Sequence, residues 1–282
     1  MTRSSGRRLL AACLLLAACG LPWPLAAEAA PVVSMTLEIQ RQGEPGHTYY
    51  LRLTGQGDMA QYLLTASDPP GPDVGGFLLT RNAGRTWYSI DPARGACARW
   101  TSQDVAAALG GLVSKLKSWA NLEIEATSFS KVSEGEGEVI CGYPTRRYSY
   151  VVHFGFKASF LFSSWEYRIV RDIEVWATDQ VARTEFRDWL MEVPLNTGHP
   201  VLDSMINQGL AEVKGAILKK RVRQEVTDKD GQTTRSEIRQ TVTKVDQGPA
   251  PPCFAPGWTP PPCQAQSRDQ LKDIIEALLK RH

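Results

Sequence analysis

The spacing of apolar side chains changes period several times along the chain, and each change marks an element. Val33-Ser34-Met35-Thr36-Leu37-Glu38-Ile39 alternates apolar with polar. That period of two suits a half-buried strand, whose successive side chains point to opposite faces. Tyr49–Leu53 follows a Gly/Pro break, and Gly76–Thr80 and Thr86–Ile90 flank Asn82-Ala83-Gly84, a hairpin loop. The whole of 32–90 therefore reads as strands separated by turns. From Thr101 to Trp119 the period lengthens: Val105, Leu109, Leu112, Val113 and Leu116 make one stripe opposite Ser114, Lys115 and Lys117. This predicts a helix, opened by Thr101 with Asp104 three residues on as a capping pair. Gly110 and Gly111 weaken it, each by up to about 1 kcal/mol relative to alanine.

From Asn121 the period of two returns. Between Tyr148 and Phe162 the even positions are Tyr148, Tyr150, Val152, Phe154, Phe156, Ala158, Phe160 and Phe162, while the odd ones include Ser149, His153, Gly155 and Lys157. One face of this strand is almost wholly aromatic. After Ser163-Ser164 the apolar side moves to Trp165, Tyr167, Ile169, Ile173 and Val175, the parity change that a turn between antiparallel strands produces. Short helices are expected over 179–190 and 201–213, the second with Pro200 at its first turn. Leu218–Thr227 and Thr233–Val245 alternate around Asp228-Lys229-Asp230-Gly231, a hairpin. Lys219, Arg221 and Arg223 share one face of it with Glu237 and Arg239 on the second strand. Such a ladder usually means a solvated face with cross-strand charge pairing; contact with anionic lipid head groups is the sharper alternative. Gly248–Pro262 is Pro-rich, and Ser267 with Gln270 opens an amphipathic final helix (Leu271, Ile274, Ile275, Leu278, Leu279).

The first residues change the picture of where the chain works. Arg3, Arg7 and Arg8 precede an uncharged apolar stretch from Leu9 to Ala18 and then small residues, the layout of an export signal. Two cleavage sites compete. Ala27-Glu28-Ala29 would make residues 1–29 the signal peptide. Leu16-Ala17-Ala18-Cys19 would make it 1–18 and leave Cys19 as a lipid-bearing first residue. The expected location is the periplasm or the outer-membrane-associated cell envelope. Either cleavage leaves Cys97, Cys141, Cys253 and Cys263, which in an oxidising compartment predict two disulfides from three pairings. The pairing expected is Cys253–Cys263, closing the Pro-rich loop, with Cys97–Cys141, both in strand-like contexts. A zinc site lacks the C-x-x-C spacing it would need. Of 282 residues, roughly 250 remain after export, with a formal net charge of +2, which argues against a nucleic-acid binder.

Chemistry finds little foothold. His47, His153, His199 and His282 form no H-x-x-x-H or H-E-x-x-H arrangement, and no G-x-S-x-G elbow or phosphate-cradling glycine loop is present. Glu134, Glu136 and Glu138 alternate among glycines and read as a solvated turn. The chain is read as non-catalytic, without cofactor or metal.

Four segments carry a resemblance. Cys141-Gly142-Tyr143-Pro144-Thr145-Arg146-Arg147-Tyr148 has the form G-x-x-T-x-x-Y, and Glu174-Val175-Trp176-Ala177-Thr178 the form E-x-W-x-T. Lys214-Gly215-Ala216-Ile217-Leu218 is close to K-G-x-P-L, with Ile217 in place of the proline. Val242-Thr243-Lys244-Val245 followed by Phe254-Ala255-Pro256-Gly257-Trp258 completes the order. Together these resemble an uncharacterised family of secreted bacterial domains related to the periplasmic lipoprotein carriers of the Lol type. The resemblance implies an α+β fold: a twisted antiparallel half-barrel sheet over 30–258, with helices near 101–119 and 200–213 packed on its concave side; the aromatic stretch Phe154–Trp165 looks like an enlargement of it, and the cysteines and the Pro-rich and helical segment over 259–282 look like additions. It further implies a concavity that holds an acyl chain, lipid or other hydrophobic molecule; if the aromatic face borders it, Tyr148, Tyr150, Phe154, Phe156, Phe160 and Phe162 line the ligand site. The alternative is an envelope interaction or scaffold protein whose concavity is filled.

Overall fold

The computed structural model describes residues 29–71, 73–119, 121–124, 128–160, 163–180, 200 and 213–265. The export signal up to residue 28 with Cys19, nearly all of the helices expected over 179–190 and 201–213, Phe162, and the final helix from Ser267 lie outside these residues.

The chain forms strands β1 (Ala29–Arg41), β2 (His47–Gln56), β3 (Met59–Asp68), β4 (Phe77–Arg81), β5 (Thr86–Asp91) and β6 (Ala96–Thr101), then helix α1 (Ser102–Trp119). It continues through β7 (Asn121–Ile124), β8 (Ser128–Ile140), β9 (Tyr143–Phe160), β10 (Ser163–Thr178), β11 (Ala216–Asp228), β12 (Thr233–Pro249) and β13 (Gln264–Ala265). All of the strands join one 13-stranded sheet in the order β13-β6-β5-β4-β3-β2-β1-β12-β11-β10-β9-β7, with β8 also paired to β9. Two up-and-down meanders, β1 to β6 and β9 to β12, meet where β1 lies antiparallel to β12. Among the described residues only β13 runs parallel to its neighbour, β6.

The expected α+β class, with helices laid on a concave sheet, needs correction. The described residues are nearly all strand, and their one α-helix, α1, touches chiefly the strands that flank it in sequence, β6 and β7. The physical reason lies in strands that side-chain period does not mark. β8 is exposed at almost every position, and its Glu134, Glu136 and Glu138, read from sequence as a solvated turn, are strand residues; main-chain pairing to β9 holds them. β3 and β6 likewise occupy stretches that alternation does not separately single out.

Where the sequence carried chemistry, local geometry follows it. At the start of α1, Thr101 Oγ1 accepts from the Asp104 N–H at 3.1 Å, while Asp104 Oδ2 accepts from Thr101 N at 3.0 Å. Two otherwise orphan donors are satisfied reciprocally. Ala106 and Ala108 are buried; the side chains of Leu109, Leu112, Val113 and Leu116 lie outside those described. Cys141 (φ 52°) and Gly142 (φ 84°) form a two-residue turn between β8 and β9 with both residues left-handed, the conformation that matches strand twist in a tight hairpin. Asp228 Oδ1 accepts from the N–H groups of Asp230 and Gln232, both at 2.9 Å, and fixes the β11–β12 turn.

The largest core cluster runs across both meanders: Val33 and Met35 on β1, Leu53, Tyr62 and Trp87 to one side, Leu218, Val242, Trp176 and Ile140 to the other. A second cluster packs Leu79 against Cys253 and Phe254 of the 3-10 turn Pro252–Phe254. This turn is tied down by Arg81, whose Nη2 donates to the Cys253 carbonyl at 2.7 Å and whose guanidinium stands 5.1 Å from the Trp258 ring centre.

The expected cysteine pairing is also corrected. The structure joins Cys97 to Cys263, Cα–Cα 4.5 Å, and leaves Cys141 and Cys253 as free thiols. Cys263 immediately precedes β13, which lies beside the strand carrying Cys97. Cys141 sits in the β8–β9 turn, towards the other end of the sheet. Cys97 lies on β6 and Cys141 in the β8–β9 turn, positions far apart in the sheet order, which sequence could not reveal.

Candidate functional site

The aromatic face of β9 is made by register. Tyr148 stands opposite Val175, Tyr150 opposite Ile173, Val152 opposite Arg171, Phe154 opposite Ile169 and Phe156 opposite Tyr167. Directly paired residues share a sheet face, so even positions of β9 and odd positions of β10 form a common surface, as the parity change predicts. The surface continues onto β11 through Ile173–Val222, Arg171–Gln224 and Ile169–Val226, and onto β12 through Val222–Ile238 and Gln224–Ser236.

Burial divides this surface. Tyr148 and Tyr150 are almost completely sealed, packed with Val175, Ala177, Val213 and Phe129; the Phe129 and Tyr150 ring centres are 5.1 Å apart. Val152 and Ile169 are buried too. Phe154, Phe156, Tyr167, Val222 and Val226 are only partly buried, and Trp165 and Ile238 are 37% and 41% exposed. Of the six residues expected to line a ligand site, then, Tyr148 and Tyr150 belong to a packed core and Phe154 and Phe156 to the open part. Phe160 is placed only as a backbone position at the end of β9, and Phe162 is outside the described residues. Arg171 and Gln224, which the reading of alternation passed over, stand among them.

The opposite face carries charge. Arg147 pairs with Glu174, Glu174 with Arg221 at 3.7 Å, Arg221 with Glu237 at 2.6 Å, Glu237 with Arg239, and Arg239 with Glu38 at 3.8 Å. The chain of ion pairs thus crosses β9, β10, β11, β12 and β1 in turn. Arg223 also approaches Glu237, at 3.7 Å. The cross-strand pairing read from the hairpin is present, and these basic side chains are engaged with neighbouring carboxylates. The Arg221 hydrogen bond, with help from Arg239, holds the Glu237 carboxyl at about 2. Because that value lies below the ordinary carboxylate range, the pair stabilises the fold above pH about 4.5, and the contribution is lost as pH falls towards about 2. Glu237→Gln is therefore expected to cost on the order of 1 kcal/mol at neutral pH, since the site is only partly screened from water. The difference from the native chain should shrink as pH falls from about 4.5 and disappear only below about pH 2, in urea unfolding measured across that range.

Two cavities lie at the margins. One, of about 380 Å³, is lined by Glu136, Thr145, Arg146, Tyr148, Asp179 and Lys214 among others. The second, of about 260 Å³, is lined by Glu38, His47, Glu237 and Arg239 with neighbouring backbone. Neither is floored by Phe154 or Phe156. Among the described residues no group of three or more His, Cys, Asp or Glu is placed to hold a metal ion, and no helix is long and apolar enough to cross a membrane. Burial raises the pKa of the two free thiols, Cys141 and Cys253, which keeps them in the weakly nucleophilic protonated form.

No family model matches the chain, and no curated protein matches it. Among solved structures it is similar to the crystal structure of a LolA superfamily protein from Nitrosomonas europaea. That match has 11% identity, covers 78% of this chain and 86% of the other, and has a TM-score of 0.25.

Proposed function

We propose that this is an exported, non-catalytic protein of the cell envelope that binds a lipid, acyl chain or other apolar molecule on the β9–β12 surface. The observation that carries the reading is the gradient along one sheet face. Tyr148 and Tyr150 anchor it as packed core, and the same ribbon then opens into Phe154, Phe156, Val222 and exposed Ile238. Apolar side chains left partly uncovered side by side suit an apolar partner better than water. Export is supported by the basic and apolar start and by the Cys97–Cys263 bond, which persists in oxidising compartments.

Native mass spectrometry of protein purified from the periplasm tests the reading. The expected spectrum contains adducts in the mass range of acyl lipids, removed by delipidation and restored by fatty-acid probes. Protein that is empty in every preparation and takes up no probe overturns it. A second reading, a scaffold that binds another envelope protein, is favoured by the dense packing around Tyr148 and Tyr150. In-cell cross-linking that yields one dominant protein partner and no lipid adduct would select it.

A further inference from the structure

The odd positions of β10 are apolar from Trp165 to Val175 with one interruption, Arg171. In register, that interruption becomes a polar row across the ribbon: Arg171 on β10, Gln224 on β11 and Ser236 on β12. On one side runs the row Tyr150–Ile173–Val222–Ile238, and on the other Phe154–Ile169–Val226. Arg171, Gln224 and Ser236 thus make a polar level between two rows that are apolar on β9, β10 and β11; on this face Thr234 stands opposite Val226, and Asp228 opposite Tyr167.

The state of Arg171 is unusual for an arginine. It is partly buried, and desolvation lowers the pKa of its guanidinium, that is, works against its charged form. Its Nε donates to Gln224 Oε1 at 2.5 Å, and its guanidinium carbon stands 5.1 Å from the Phe154 ring centre. Among the described residues no carboxylate pairs with it. The contrast is with Arg147, Arg221, Arg223 and Arg239 of the opposite face, each of which has a carboxylate. A guanidinium has five N–H donors in a rigid fork. Gln224 occupies the Nε donor and so fixes the plane of the fork, leaving the terminal edge, the part that engages an oxyanion with two parallel bonds. The Gln224 amide, accepting through Oε1, keeps its own N–H donors. Withdrawing a charge from water without an ion partner is costly, and a bound anion would offset that cost.

We propose that Arg171 and Gln224 form an anion anchor that takes the carboxylate or phosphate head group of an amphiphile, whose chain lies along the partly buried flanking side chains Phe154, Val222 and Val226. This deepens the reading above and rests on it. It narrows the ligand from any apolar molecule to one with an acidic head.

The test compares a fluorescent polyene fatty acid with its methyl ester, on the full exported chain and on Arg171→Met and Gln224→Leu, with near-ultraviolet circular dichroism confirming that each variant is folded. The native chain is expected to bind the acid about tenfold more tightly than the ester, the size of one charge-assisted contact. Arg171→Met should abolish that preference and leave ester affinity within about twofold, because volume and apolar surface are kept. Gln224→Leu, which loosens the fork, should reduce the preference part way, and it keeps the test open if Arg171→Met does not fold. Inorganic phosphate at millimolar concentration should not displace the acid; displacement would show a free-anion site and overturn the amphiphile. Equal binding of acid and ester by the native chain defeats the anchor while leaving the apolar-binder reading standing. Binding of neither probe removes both.

Discussion

Replacing Gly215 with alanine is expected to destabilise this protein by about 3 kcal/mol or more. Two independent causes act together. The residue has φ +88°, a backbone region costly for any side chain. A Cβ there would also lie 2.9 Å from the Asp179 backbone nitrogen and still closer to the Thr178 carbonyl, so the β10 and β11 backbones would have to separate where Thr178 pairs with Ala216. Gly43 supplies the control: φ is +81° but nothing lies within 4 Å of a Cβ, so Gly43→Ala should cost only about 1 kcal/mol. Urea unfolding of both variants decides the matter. Equal losses would mean that the close approach at Thr178 is absent and only backbone strain is at work.

Loss of the Cys97–Cys263 bond should cost about 3–5 kcal/mol. The bond closes a sequence separation of 166 residues, and in the chain-entropy account long loops gain most from closure. Cys97→Ser, Cys263→Ser and the double variant should therefore melt at one shared, lower temperature, matched by the native chain under reductant, with no further change on reduction of the variants. Cys141→Ser should leave the reductant-sensitive step in place. Recovery of a Cys97–Cys141 peptide from a non-reducing digest would contradict the Cys97–Cys263 pairing.

Much of the strand framework was legible because apolar alternation and turn chemistry coincided. Val33–Ile39, the Asn82-Ala83-Gly84 loop, the parity change after Ser163 and the Asp228–Gly231 turn each carried one or both signals. The Thr101–Asp104 cap was legible because its chemistry is local. β8 was not, since a strand exposed on nearly every side chain has no period to read. The same limit explains the underestimate of strand: alternation finds elements that bury a face, and the main-chain pairing that widens this sheet leaves no mark on side-chain type. The resemblance motifs turn out to mark packing. Thr145 donates to the Glu138 carbonyl at 2.6 Å, Tyr148 and Trp176 are core, Thr178 is buried, and Gly215 stands against it. At the candidate site, the aromatic positions of β9 were visible as a stripe. Which of them are sealed was not, because burial depends on neighbours distant in sequence. Arg171 was visible only as the break in the β10 alternation. Its meaning needed the register that sets Gln224 beside it.

A broad open sheet has two outer rims, where unpaired backbone groups invite another chain to add on. In this sheet β13, the outermost strand at one rim, is two residues long, and among the described residues only β6 pairs with it. If β13 were to peel away, Ala98 and Arg99 of β6 would lose their only described partner on that side. The covalent tether at Cys263 keeps that short strand beside β6, so reduction is expected to expose the Ala98–Arg99 edge to added strands as well as to loosen the fold.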